Sequence, residues 1–245
     1  MATLLQIVAD AADECGISPT PVTVINNTDD NIRRLLQMSN RQGRDLAESA
    51  DWTVLQRLHT ITTTASDGEY DLPDDYSRLI GETVWDRTGQ RPMSGPVDPQ
   101  HWQTLKSSTL GGSNIYEKFR IYRASTGTGR SVYIHPVPAV SSETRVFEYV
   151  STYWCASSGG TLQDAWAADS DVSILDRDLM TLGLIVRFKR SIGMDFTSEA
   201  QEYEDIFSRK KGQDRPSPAV SLNSHLRSDE HLIGFHNIPE QGYGG

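Results

Sequence analysis

This sequence contains few cysteines, which argues against a cysteine-bound metal site and against a fold held together by disulfides. The 245 residues include two cysteines, Cys15 and Cys155. Two thiols so far apart provide neither the ligand spacing of a metal site nor a disulfide framework. Free cysteines are among the residues most often buried, so we expect both to be reduced and buried.

Long apolar runs and surplus positive charge are also missing. No apolar run approaches the roughly 20 residues that span a membrane. The first residues are apolar but lack a basic region, so we expect no signal peptide, no membrane association and synthesis in the cytoplasm. The chain has 23 basic and 33 acidic residues, a net charge of −10. Proteins that grip DNA phosphates normally carry a basic patch, so the charge argues against specific DNA binding, although DNA could slide past an acidic surface.

Motifs for metals and cofactors are absent, so we expect neither. The six histidines form no HExxH or Cys–His pattern. No GxSxG sequence is present. The run Gly127–Ser131 lacks the lysine of a phosphate-binding loop and is predicted to be a hairpin turn. The acidic stretch at 164–178 lacks the glycine and glutamate of a calcium loop, so we interpret its aspartates as helix starts and loop anchors.

Helical patterns occupy both ends of the folded region. Thr3 is the predicted cap of a first helix that stops at Gly16, and a longer helix is predicted to start near Thr28 or Asp29. A third helix is predicted from Asp176 to Gly193, and a fourth from a cap at Thr197 or Ser198.

Strand patterns fill the region between them. The predicted strands begin with Leu58–Ser66, which is followed by a turn at Asp67-Gly68, and continue with a strand through Leu79 to Trp85. A short helix is predicted after Asp98, and a hairpin around Gly127–Gly129. The strand at 144–154 is apolar on both faces, so we expect it to be central.

The C-terminal segment has no sustained periodicity and is predicted to be extended. It nevertheless carries an apolar cluster, which we interpret as a binding site for a partner. The alternative is a frayed terminus, or a strand that folds back on its own domain. The candidate binding residues are Leu232, Ile233, Phe235, His236, Ile238 and Tyr243.

These patterns together predict an α+β fold. An antiparallel-type helical bundle is expected from residues 1–56 and 165–209. A β-sheet or sandwich domain is inserted at 57–164, and an extended C-terminal arm occupies 210–245.

Several short motifs, in their order, resemble the head–tail adaptor family of tailed bacteriophages, also called tail accessory factors or head-to-tail connectors. The resemblance covers about residues 30–210. Its pieces are Asn31–Leu36 with Trp52, Tyr70–Tyr76, Val84–Arg87, Arg91–Met93, Ile134–Pro138, Phe147–Ser151, Trp166–Asp171 and Leu182–Lys189.

The resemblance implies a structural protein and not an enzyme. It implies a ring of twelve copies beneath the portal protein, with C-terminal segments reaching the portal and a platform for tail nozzle or tail tube proteins. Genomic DNA would pass through the lumen without specific binding. The expected location is the head–tail interface of the virion, and the host cytoplasm during assembly.

Two other functions stay open from the residues alone. The abundant carboxylates are compatible with a virion-associated cell-wall glycosidase, although no pair can be singled out. Six aromatic residues could line a sugar-binding surface of a tail protein, although such residues more often fill a core or a subunit contact. They are Tyr76, Trp85, Trp102, Tyr116, Tyr122 and Trp154.

Overall fold

The computed structural model describes residues 2–107, 117–126 and 129–214. Its helices are α1 (Leu4–Glu14), α2 (Asp30–Ser49), α3 (Pro99–Ser107), α4 (Arg177–Ile192) and α5 (Thr197–Asp214). A 3₁₀ turn at Thr53–Leu55 precedes the strands. The strands are β1 (Gln56–Thr62), β2 (Glu69–Asp71), β3 (Tyr76–Leu79), β4 (Trp85–Asp86), β5 (Arg91–Pro92), β6 (Lys118–Arg123), β7 (Arg130–His135), β8 (Thr144–Ser151), β9 (Cys155–Ala156), β10 (Leu162–Gln163) and β11 (Val172–Ser173). The predicted α+β class is confirmed.

Three of the predicted helix starts are confirmed by side-chain caps. Thr3 and Gln6 form a reciprocal capping box at α1. The carboxylates of Asp29 and Asp176 accept hydrogen bonds from the first free N–H groups of α2 and α4. The predicted cap of α5 was wrong: Asp195, not Thr197 or Ser198, accepts from Thr197 N at 3.0 Å. Thr197 is itself the first residue of α5, and the carboxylate of Asp195 provides a charged acceptor for its N–H.

The helices share one apolar core, in which α4 packs against α1, α2 and α5. Trp154 and Cys155 also belong to this core, although both fall within the range predicted for the β domain. The small sheet β10-β9-β11 lies beside them, and an isolated bridge joins Thr3 to Val172. The N-terminus of α1 is thereby fixed to the loop that precedes α4.

The remaining strands form two sheets with a second apolar core between them. One sheet has the order β1-β8-β4-β5, with β3 also on β8, and the other has the order β2-β7-β6. The predicted central strand is confirmed, because β8 pairs with β1 on one side and with β3 and β4 on the other. The core between the sheets contains Ile61, Leu72, Phe119, Ile134 and Phe147 among others.

One prediction within the strand region was wrong. The strand predicted through Leu79 and Trp85 is two strands, because the chain turns at Gly81 and at Glu82, whose φ is 63°. The turn predicted at Asp67-Gly68 lies between strands of different sheets, because β1 pairs with β8 whereas β2 pairs with β7. The chain therefore crosses from one sheet to the other at this point. The predicted hairpin of β6 and β7 is confirmed, and residues 127–128 of its turn lie outside the described residues.

The boundaries at 57–164 and 165–209 remain predictions. The arm was predicted to begin at Lys210, but α5 continues to Asp214. The expectation of two buried cysteines holds only for Cys155, since Cys15 is half-buried; both are free thiols.

Candidate interaction surfaces

The predicted portal-binding residues lie outside the described residues. Leu232, Ile233, Phe235, His236, Ile238 and Tyr243 all follow Asp214, the last residue that the structure describes. What the structure does define is the end of α5 at Asp214, after which the predicted arm follows in the sequence.

That point is anchored by hydrogen bonds at the end of α5. The carboxylate of Asp214 accepts from the backbone N of Thr53 at 2.8 Å and from its hydroxyl at 2.7 Å. One turn earlier, Lys210 forms an ion pair with Asp176 at 2.7 Å. Because Thr53 begins the 3₁₀ turn that leads into β1, the exit of the arm and the entry to the strands are joined.

A surface groove of about 340 Å³ lies next to this exit. Its walls include the side chains of Trp52, Val54, Leu175 and Leu179, and Lys210 and Asp214 lie at its rim. Trp52 donates from Nε1 to the carbonyl of Leu46 at 2.7 Å, which fixes its indole to the end of α2.

A buried polar network holds α2, α4 and α5 in register. The amide of Gln42 donates to the carbonyl of Leu179 at 3.2 Å and contacts the Tyr203 hydroxyl at 3.1 Å. Its oxygen accepts from Arg187 Nε at 2.6 Å, and Arg187 also pairs with Asp45 at 2.7 Å. Because Gln42 is buried, a shift of α2 along α4 or α5 would leave its amide without hydrogen-bond partners. The network therefore favours a single relative position of the three helices.

The acidic stretch at 164–178 anchors loops, as the sequence predicts. Asp169 accepts from the backbone N of Val24 and Ile25 at 3.1 and 2.7 Å. Asp171 is buried and accepts from two successive N–H groups of its own loop. These carboxylates fix the connector after α1 and the loop before α4.

In the sheets, three carboxylates surround one buried guanidinium. Arg145 pairs with Asp86, Glu117 and Glu143 at 2.7, 2.7 and 2.9 Å. Burial works against the charged form, but the hydrogen bonds and the charge of Glu117 outweigh it and raise the pKa of Arg145. The cluster is a structural ion network between β4, β8 and the segment before β6.

The shifted carboxyl groups of the described residues are stabilised in their ionised forms. Hydrogen bonds from Ser125, followed in size by one from Tyr133, lower the pKa of Glu69 to about 2. Hydrogen bonds also lower the pKa values of Asp98, Asp195 and Glu199. The general acid of a glycosidase instead needs a raised pKa, so these groups act as fixed acceptors and not as proton donors.

The aromatic residues considered for sugar binding do not share one exposed surface, as a sugar-binding platform would require. Trp154 is fully buried and meets Trp166 edge to face at 4.8 Å between ring centroids. Trp102 is buried, Tyr76 and Trp85 are partly buried, and Tyr122 is exposed. Tyr116 lies outside the described residues. Trp154 belongs to the helical core and Tyr76 packs against the core between the sheets, which is the more common role of such residues.

One face of α2 carries a feature that the sequence reasoning missed. Arg33, Arg34, Arg41 and Arg44 are all exposed, and at 3.6 residues per turn they fall within an arc of about 100° opposite the buried residues of the helix. We call this set the arginine face. It borders a groove of about 700 Å³ whose apolar lining is Val24, Leu36 and Met38. A helical projection of residues 30–49 shows that these arginines lie on one side of the helix. The net charge of the whole chain does not reveal this.

Within the described ranges, no cluster of three or more histidine, cysteine, aspartate or glutamate side chains is arranged to hold a metal ion. No described helix combines the length and apolar character needed to cross a membrane.

The fold and these surfaces define an α+β protein whose polar clusters serve structure and whose exposed features suit contact with other macromolecules. A family model described as SU10 adaptor protein matches residues 2–222, nearly the whole chain. The chain therefore belongs to this family of phage adaptor proteins, which confirms the resemblance to head–tail adaptors. Membership assigns it a structural adaptor role in the virion, in contact with head and tail components. A search of curated proteins found no match.

Proposed function

We propose that this protein forms a ring that connects the portal vertex to the tail and continues the DNA channel. In this role twelve copies, the number that the family resemblance implies, lie beneath the portal protein and present a platform for tail nozzle or tail tube proteins. The observation that carries the proposal is the family match over residues 2–222. The negative charge of −10 suits a channel in which DNA moves without sticking.

We further propose that the C-terminal arm contacts the portal through Leu232, Ile233, Phe235, His236, Ile238 and Tyr243. The support is an apolar cluster in a segment of otherwise polar composition, together with the anchored exit at Asp214. A segment that leaves from a fixed point searches a limited volume, which raises its effective concentration at a nearby partner.

The test combines this protein with the portal ring of the same phage and images the mixture by electron microscopy. The full chain should give a closed ring on the portal, whereas a chain that ends at Ser221 should not bind. The truncated chain should keep the thermal melting profile of the described core, which shows that the loss is one of contact and not of folding.

Point variants sharpen this experiment. Phe235→Ala combined with Ile233→Ala should weaken portal binding, and Val220→Ala, an apolar truncation outside the cluster, should leave it unchanged. Binding that survives the truncation refutes the role of the arm. A full chain that never binds the portal refutes the ring connection itself.

A further inference from the structure

We propose that residues 216–220, the first part of the C-terminal arm, bind in the groove of about 340 Å³ beside the end of α5 of their own chain. We call these residues, Pro216 to Val220, the proline segment. The inference goes beyond the proposed portal contact, because it assigns an earlier part of the arm to this protein's own surface. The arm is thereby divided: its first residues bind the helical part, and residues 232–243 extend to the portal.

The groove is apolar and open to solvent. Leu46, Trp52, Leu175 and Leu179 belong to the helical core, and they also line this groove. Val54 lines it as well and is 52% exposed. Removing apolar surface from water is favourable, so a concave surface of this kind favours an apolar occupant.

The groove lies where α5 ends. Gln213 and Asp214 are among its lining residues, so the chain continues directly from its wall. The Asp214 carboxylate is held by the backbone N and the hydroxyl of Thr53, the neighbour of Val54, at 2.8 and 2.7 Å. Each residue extends the chain by at most about 3.6 Å, so Val220 stays within about 22 Å of Asp214. This connection keeps the proline segment at an effective concentration on the order of millimolar at the groove, which a separate molecule would have to match.

The proline segment has a composition that suits the groove. Its sequence is Pro-Ser-Pro-Ala-Val, and no acidic or basic residue occurs between Arg215 and Arg227. Pro216 and Pro218 have no backbone N–H and a fixed φ, so their burial leaves fewer donors unpaired and their ordering costs less conformational entropy. Proline-rich segments bind aromatic-lined grooves for the same reason, and Trp52 is part of this wall.

The extent of the family match supports the assignment independently. The match covers residues 2–222, so it continues past Asp214, the last residue of α5. The proline segment lies inside the match, whereas the portal-binding residues, from Leu232 onward, lie outside it. The first part of the arm therefore matches the family model together with the helices, as expected of a segment that packs on them.

Labelling of a cysteine in the groove tests this contact in the full chain. Val54→Cys places a thiol there, in a chain whose half-buried Cys15 is replaced by serine. Cys155 can stay, because burial raises the pKa of its thiol to about 12 and keeps it unreactive. If the proline segment occupies the groove for about 90% of the time, the thiol reacts with iodoacetamide only in the remaining tenth, and labelling is about tenfold slower.

A charge in the proline segment should remove this protection. Val220→Asp would bury a carboxylate in an apolar groove, so it should release the segment and make labelling of Val54→Cys about tenfold faster. Leu226→Asp makes the same kind of change outside both the proline segment and the portal-binding residues, and it should leave the rate unchanged. Leu58→Cys is the control thiol, because Leu58 is 58% exposed on β1, and its labelling should not respond to Val220→Asp. Circular dichroism melts check that each variant is folded.

Equal labelling of Val54→Cys with and without Val220→Asp overturns the proposal. Protection that rises with protein concentration also overturns it, because the groove would then hold the arm of a second copy. Val54→Cys combined with Val220→Cys distinguishes the two cases directly: an intramolecular disulfide after mild oxidation supports the contact, whereas disulfide-linked dimers contradict it. The chain that ends at Ser221 keeps the proline segment, so the portal test leaves this contact intact. Either contact can therefore fail while the other stands.

Discussion

Replacing Gly43 by alanine should destabilise the protein, although alanine is the better helix former. Gly43 lies in the middle of α2, directly against the indole of Trp154. A Cβ atom built on Gly43 would overlap that ring, coming to 2.5 Å from its Cε2 atom. Ordinary contacts of this type begin near 3.4 Å, so α2 or the indole must move by about 1 Å.

The indole has little freedom to move. Trp154 is fully buried, its Nε1 donates to the carbonyl of Asp164 at 2.8 Å, and its ring meets Trp166 at 4.8 Å. Overpacking of a tight core destabilises by about 1–3 kcal/mol, and a rigid neighbour favours the upper end of that range. The gain in helix propensity is about 1 kcal/mol, which leaves a net loss of about 2 kcal/mol. For a chain of this size, the melting temperature should fall by about 4–8 °C.

Thermal and urea unfolding of Gly43→Ala measure this effect. The matched control is Gly212→Ala in α5, where a Cβ would meet nothing within 4 Å and only the helix propensity should act. Combining Gly43→Ala with Trp154→Leu should reverse the sign, so that alanine stabilises relative to Trp154→Leu alone. A Gly43→Ala protein that is as stable as Gly212→Ala would refute the packing argument.

Two further predictions concern charges. The pKa of Glu69 lies below its ordinary value, so the stability that the unmodified protein has over Glu69→Gln should be present above pH 4.5 and vanish as the pH falls to about 2. Urea unfolding over a pH series measures it, and an advantage that persists at pH 2 contradicts the cause. Arg145→Met should destabilise by about 3–5 kcal/mol because it leaves partly buried carboxylates without their cation. Adding Asp86→Asn, Glu117→Gln and Glu143→Gln should recover most of the loss, and a neutral single substitution would show that Arg145 contributes nothing.

The helices were predictable because their signals are local. Thr3, Asp29 and Asp176 each cap a helix within a few residues of the apolar pattern they precede, and Gly193 follows α4 in the left-handed conformation at φ 75°. The strands were harder, since a short strand is defined by partners that are distant in sequence. β4 has only two residues and exists because Trp85 and Asp86 meet β8.

The interaction surfaces were predictable only in part. The aspartates at 169 and 171 were correctly interpreted as loop anchors because the alternative, a calcium loop, lacked its required residues. The contact between Thr53 and Asp214 could not be anticipated, since it joins residues that are 161 positions apart. The arginine face was visible in principle, but a net charge summed over the whole chain hides a local excess of the opposite sign.

The hydrogen bonds between Asp214 and Thr53 also determine how the protein would respond to mechanical force. Tension applied to residue 215 reaches Asp214 first, and Asp214 passes it to the 3₁₀ turn and β1 as well as to α5. The load is therefore divided between the helices and the strands at the point where it enters, and the last turn of α5 does not bear it alone.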